Sequence, residues 1–127
     1  MYNLFLIGVG GFIGTILRYA LSGFIQQGLR DVSLPYGTLG VNLIGCFAVG
    51  FLSYLSENYG LFPGMQRQFI FIGILGGFTT FSTFMNESLR LAMDRETLMM
   101  FLNIAFHIFF GLITVWLGRL TAYRLWR

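Results

Sequence analysis

The most distinctive stretch of the chain reads Gly73-Ile74-Leu75-Gly76-Gly77-Phe78-Thr79-Thr80-Phe81-Ser82-Thr83-Phe84. Two adjacent glycines followed by a cluster of hydroxyl residues make a poor continuous helix. They make a good break point. In a membrane, a broken helix is tolerated only where its freed carbonyls and amides face protein, water or an ion. Breaks at the midplane are the usual ion-binding device of transport proteins. A glycine-softened kink, with the hydroxyls bonded back onto the chain, is the plainer alternative. The coincidence of the Gly-Gly pair with the Thr/Ser cluster favours the break.

Beyond that point Thr79, Thr83 and Glu87 recur at four-residue spacing, which predicts a polar stripe. Phe81 and Phe84 lie close to the same face. Phenylalanine is ordinary filler here, since the chain has 15 of them. Beside hydroxyl donors, the weakly positive edge of the ring can also face a dehydrated anion. Asn42 falls mid-membrane in a second apolar run, as an interhelical hydrogen-bonding group or as part of a pathway. In a first run, Gly10, Gly14 and Arg18 share one helical face. The glycines suit close backbone packing, and Arg18 either snorkels to the interface or attracts anions. In a fourth run Asn103, His107 and Gly111 share a face, with Thr114 near it.

None of these residues forms a nucleophile–base–acid set, a phosphate loop or an HExxH zinc pattern, so the sequence does not read as an enzyme. His107 has no second histidine to join in holding a metal, and Cys46 lies in a different run.

The elements that position these residues follow from composition. The chain has 127 residues, of which 56% are hydrophobic and 10% charged, with a net charge of +3 and no lysine. A soluble domain carries about 25% charged residues. Eight arginines and five acids could not cover a water-soluble surface of this size. The hydrophobicity excludes disorder, and the lone cysteine excludes a disulfide framework. The class is an all-α integral membrane protein, expected as one domain over residues 1–127. Apolar runs predict four transmembrane helices, over residues 4–25, 37–55, 67–93 with a central break near Gly76–Thr80, and 98–120. Each is long enough to cross about 30 Å of hydrocarbon. Barrel strands would alternate in polarity, and these runs do not. Signal-peptide character is weak, because Met1-Tyr2-Asn3 has no basic residue and the run is long. The mature protein is therefore expected to start at or near Met1.

Polar connections carry Arg30, Asp31 and Pro35, then Gly60, Pro63, Gly64 and Arg67, then the tight hairpin Asp94-Arg95-Glu96. Four crossings place Arg67, Arg119, Arg124 and Arg127 on one side and Arg30, Arg90 and Arg95 on the other. That near-balance gives no firm orientation. Either a helix end is misplaced, or the chain inserts both ways and pairs as an inverted dimer. The lipid bilayer is the expected environment, and no nucleic-acid partner is expected.

Three of these segments together resemble the Fluc/CrcB family of small fluoride channels. The likeness rests on Gly10-Gly11, Gly14 and Arg18; on Gly37-Thr38-Leu39 with Val41, Asn42 and Gly45; and above all on Gly73, Gly76-Gly77 and Thr79-Thr80-Phe81-Ser82-Thr83-Phe84, with Glu87 beyond. It spans the whole chain. The resemblance implies an antiparallel dual-topology homodimer with two fluoride pores in the cell's inner (plasma) membrane. It also implies passive fluoride efflux that lowers cytoplasmic fluoride after HF has crossed the bilayer and dissociated inside. A structural Na⁺ at the dimer interface would take the backbone carbonyls of Gly76 and Thr79. Asn42, Phe81 and Phe84 would meet the ion path, with Thr80, Ser82, Thr83 and Glu87 lining or bordering it and Arg18 near a vestibule. Family members often carry Tyr and Ser along the fourth helix. Here Asn103, His107 and Gly111 stand on that face.

The chemistry is coherent. A bare small anion costs tens of kcal/mol in a low-dielectric medium unless its hydration is replaced, yet conduction needs binding weak enough to release it. Amide and hydroxyl donors with aromatic edges supply that intermediate field. A small dual-topology multidrug-type transporter would need a carboxylate in its first helix, where this chain has Arg18. A non-transporting membrane scaffold would use the same glycines and Asn42 for packing alone.

Overall fold

The computed structural model describes residues 2–29 and 33–127. The expectations that concern Met1, Arg30 and Asp31 lie outside the described residues. All regular structure among the described residues is helical, and four helical spans are long and apolar enough to cross a membrane. Helix α1 covers Tyr2–Gly28 and α2 covers Tyr36–Tyr59. Both run past their apolar cores, because polar flanks such as Asn3, Gln26 and Asn58 can continue a backbone ladder. Gly60, with φ 63°, ends α2 in the left-handed conformation that glycine adopts without steric cost.

The third span is divided. Its first part, α3, covers residues 65–78 and includes a π-helical stretch, Gln68–Leu75, before a short α-helical piece, Gly76–Phe78. Helix α4 then covers Phe81–Met93. The interruption is two residues wide, at Thr79 and Thr80, immediately after the glycine pair. The tight hairpin at Asp94-Arg95-Glu96 leads into α5, Thr97–Leu125, which is unbroken.

Lipid gives apolar side chains no reason to prefer one another over acyl chains, so helices associate through close backbone packing and polar bonds. The two main seams follow that rule. Helix α1 packs on α3 and α2 packs on α5. In the first seam a Cβ added at Gly10 would lie 2.8 Å from the Phe69 carbonyl oxygen, and one at Gly14 would collide with that of Ile74. In the second, a Cβ at Gly50 would meet the Val115 carbonyl, and one at Gly118 that of Phe47. Only Gly10 and Gly14 of α1 are buried, while Leu4, Phe5, Phe12 and Phe24 face outward as bilayer-facing or partner-facing residues do. Val41 and Asn103 are the largest fully buried side chains among the described residues. Thr38 of α2, Ser88 of α4 and Asn103 of α5 are the buried polar residues among those described.

Candidate functional site

The break is built by competition for the backbone. The amide and the Oγ1 hydroxyl of Thr79 both donate to the Leu75 carbonyl, each at 3.0 Å. Thr79 then turns extended (φ −89°, ψ 157°), as does Thr80 (φ −150°, ψ 113°). Among the described residues no later backbone amide donates to the carbonyls of Gly76, Gly77, Phe78 or Thr79. Asn42 takes the place of the missing ladder. Its Nδ2 donates to the Thr80 carbonyl at 3.1 Å, and its Oδ1 accepts from the Thr80 amide at 2.9 Å. A carboxamide is the uncharged side chain that offers donor and acceptor side by side, matching a peptide edge. One N–H of Nδ2 remains for another partner. Thr80 Oγ1 caps α4, accepting from the Thr83 amide at 3.3 Å and donating to Thr83 Oγ1 at 2.9 Å. The Thr83 hydroxyl proton is thereby left free.

Two cavities flank this clamp, and Thr80 lines both. The first, about 340 Å³, is bounded by Asn42, Cys46, Thr79, Thr80, Phe81, Phe84 and His107. The second, about 470 Å³, is bounded by Thr15, Arg18, Tyr19, Ser22, Thr38, Thr80 and Thr83. Among the described residues Arg18 forms no ion pair. The one ion pair among the described residues, Arg119 to Glu57 at 2.7 Å, joins α5 to the end of α2.

In the first cavity the aromatic rings form a series. Phe81 meets Phe84 edge-on, with centroids 5.6 Å apart and planes at 65°, and Phe84 stacks on His107 at 4.1 Å and 28°. Phe84 is 4% exposed and Phe81 72% exposed, so one ring is fixed in the core while the other projects from the subunit. A hydrogen-bonded circuit supports the fixed ring. Ser88 Oγ donates to the Phe84 carbonyl at 2.8 Å and accepts from Asn103 Nδ2 at 2.9 Å. His107 Nδ1 lies 2.9 Å from the Asn103 carbonyl. Asn103 Oδ1 and His107 Nε2 are buried without protein partners.

The remaining candidates separate. The predicted stripe of Thr79, Thr83 and Glu87 is not one helical face, because the chain leaves the helix at Thr79 and restarts at Phe81. Thr79 faces the His107 cavity and Thr83 the Arg18 cavity. Glu87 accepts from Thr38 Oγ1 at 2.7 Å on Oε1, leaves Oε2 buried and unpartnered, and borders a third, smaller cavity with Ser33, Arg90 and Asp94. Ser82 is exposed and lines neither main cavity. On unbroken α5 the face of Asn103, His107 and Gly111 persists. Gly111 is buried toward Cys46, and the Thr114 hydroxyl bonds back to the Phe110 carbonyl.

Thr38 and Ser88 were not among the sequence-derived site residues. Each stands four residues from a residue that was, Asn42 and Phe84 respectively, so helical spacing was the available signal.

The family described as CrcB-like protein, Camphor Resistance (CrcB), matches the chain over residues 5–119. The chain belongs to this CrcB family. Its relatives include fluoride-specific ion channel FluC 1 of Methanosarcina acetivorans, 46% identical over 98% of this chain and 94% of that protein. Fluoride-specific ion channel FluC 3 of Methanosarcina barkeri is 46% identical over 96% and 91%, and FluC of Methanococcus maripaludis is 44% identical over 99% and 100%. As a CrcB-family chain with four spans it is a multi-pass membrane protein of a non-enzymatic family. The multidrug-transporter and scaffold readings gain no support.

Among the described residues no three His, Cys, Asp or Glu side chains converge on a metal position. The oxygens offered at the break are main-chain carbonyls, the donor type that hard cations take.

Proposed function

We propose that this chain is one subunit of a fluoride-selective channel that mediates passive fluoride efflux across the inner (plasma) membrane. Its relatives carry the name of that activity over nearly the whole chain. The observation that supports it most directly is the clamped break, where Asn42 holds Thr80 between a cavity bearing Arg18 and a cavity bearing Phe81, Phe84 and His107.

The second subunit is an oppositely oriented copy. Near-equal arginine counts on the two sides favour neither insertion, and the outward-facing Phe81 leaves the anion path open to a partner groove. The carbonyls of Gly76 and Thr79 lack backbone donors, and Gly76 is exposed, so these oxygens suit a shared Na⁺. A Na⁺ held by these carbonyls would supply fixed positive charge that favours anions in the adjoining path.

The chain's own groups then do the rest. Arg18 raises the local anion concentration in its cavity without closing on a carboxylate. The free Thr83 hydroxyl and the second Asn42 N–H replace part of the hydration shell. Ring edges of Phe81 and Phe84 add a weak field that does not trap the ion. Small donors in a narrow path favour fluoride over larger chloride.

Liposome efflux tests this reading. Vesicles loaded with potassium fluoride and reconstituted with the protein should release fluoride within seconds of adding a potassium ionophore, and chloride-loaded vesicles should hold their load. Equal release of both halides, or release no faster than protein-free vesicles, would overturn it.

A further inference from the structure

His107 is the single histidine of the chain, and its hydrogen bond fixes more than its orientation. A carbonyl can only accept, so the 2.9 Å contact from Nδ1 to the Asn103 carbonyl requires the proton on Nδ1. A neutral ring then presents Nε2 as a bare lone pair. That atom is buried, has no protein partner, and belongs to a ring that lines the cavity of Asn42, Thr80 and Phe81. Stacking on Phe84 at 4.1 Å and the Ser88–Asn103 bond leave the ring little freedom to exchange its two nitrogens.

A bare lone pair repels an anion. The same atom carrying a proton donates a charge-assisted hydrogen bond to one. Resting on the fluoride-channel reading, we infer that His107 Nε2 is an anion site that exists only when the imidazole is protonated, so that fluoride and a proton bind there cooperatively.

The surrounding groups leave this switch to His107. On α2 the titratable group lining the cavity is Cys46, and α3 contributes none. On α4 Glu87 lies outside the cavity with Oε1 held by Thr38, and Arg90 borders that same outer pocket. Arg18 of α1 sits in the cavity beyond Thr80, and Arg119 of α5 is committed to Glu57. Among the described residues no carboxylate lines the cavity to neutralise an imidazolium in advance.

Binding linkage is reciprocal, so fluoride must stabilise the proton as much as the proton stabilises fluoride. Selective ¹⁵N labelling of histidine gives the resonances of this one ring in bilayer nanodiscs. At high pH the spectrum should show the Nδ1–H tautomer. Exchanging gluconate for fluoride at constant ionic strength should raise the titration midpoint by about half a pH unit once fluoride stands at roughly twice its dissociation constant for the protonated ring. An Nε2–H tautomer, or a midpoint indifferent to fluoride, would overturn the inference. Efflux from liposomes made with the same preparation separates the two levels. Fluoride-selective release with an indifferent midpoint removes the His107 site alone, whereas no selective release removes the channel reading on which it rests.

Discussion

Asn42 holds the main chain of Thr80 from both sides, donating to its carbonyl at 3.1 Å and accepting from its amide at 2.9 Å. One side chain on α2 thereby satisfies both backbone groups of Thr80, where the third span breaks. In hydrocarbon, each unsatisfied group would cost several kcal/mol. The interruption between Phe78 and Phe81 is therefore a stable element of the fold, and the freed carbonyls before it are its product.

Replacing Asn42 by Asp keeps an acceptor for the Thr80 amide but removes both N–H donors and adds negative charge beside the anion path. We expect fluoride efflux to fall at least about tenfold, the effect of roughly 1.4 kcal/mol on the rate-limiting barrier. The variant should elute on size-exclusion chromatography as the parent does. Unchanged efflux would mean that the remaining Nδ2 proton does not serve the ion.

The α1–α3 seam gives a test of packing that is separate from conduction. Gly14→Ala places a methyl group against the Ile74 carbonyl and the Phe78 amide, immediately before the break, whereas Gly8→Ala meets nothing within 4 Å. Overpacking of this kind costs about 1–3 kcal/mol. The thermal unfolding midpoint in detergent should drop clearly for Gly14→Ala and stay near the parent value for Gly8→Ala. Equal midpoints would show that the seam is loose enough to absorb a side chain.

The sequence announced the architecture because its signals were local. Four apolar runs, a Gly-Gly pair before a hydroxyl cluster, and polar hairpins each depend on residues close together in the chain. The break itself was legible in Gly76-Gly77-Phe78-Thr79-Thr80 for the same reason. What the break does to neighbouring faces was not legible. Spacing by four put Thr79, Thr83 and Glu87 on one stripe, but helical spacing has no meaning across two extended residues. The π-helical stretch before the break has no composition signal, since Gln68–Leu75 reads as an ordinary apolar helix. The links of Thr38 to Glu87 and of Asn103 to Ser88 were hidden because each joins two helices, and their partners are set by packing alone.

Sodium removal probes the break from another direction. A ligand held only by the folded assembly stabilises it by RT ln(1 + [L]/Kd), which is about 2.7 kcal/mol at a hundredfold excess over Kd. Protein extracted and purified throughout in N-methylglucamine salts should unfold at a lower temperature than protein kept in sodium, and adding sodium back should restore the midpoint. Lithium or potassium should restore it less well, because carbonyl oxygens in a fixed fold suit one ionic radius best. A midpoint that ignores the cation would leave the Gly76 and Thr79 carbonyls without this role.

Phe81 and Phe84 separate conduction from stability, since they differ so much in exposure while touching edge to face. Phe84 is buried against His107, so Phe84→Ile should lose stacking and cost on the order of 1–3 kcal/mol of stability as well as slowing efflux. Phe81 projects from the subunit, so Phe81→Ile should leave the unfolding midpoint within about 0.5 kcal/mol of the parent, as surface substitutions do. Its efflux should nevertheless fall, because an aliphatic group has no positive edge to offer an anion. The informative result is that divergence, measured as unfolding midpoint against fluoride release in one preparation of each variant. If Phe81→Ile keeps full fluoride release, the exposed ring serves only the contact with lipid or partner, and the anion path must run along Thr83 and Asn42 without it.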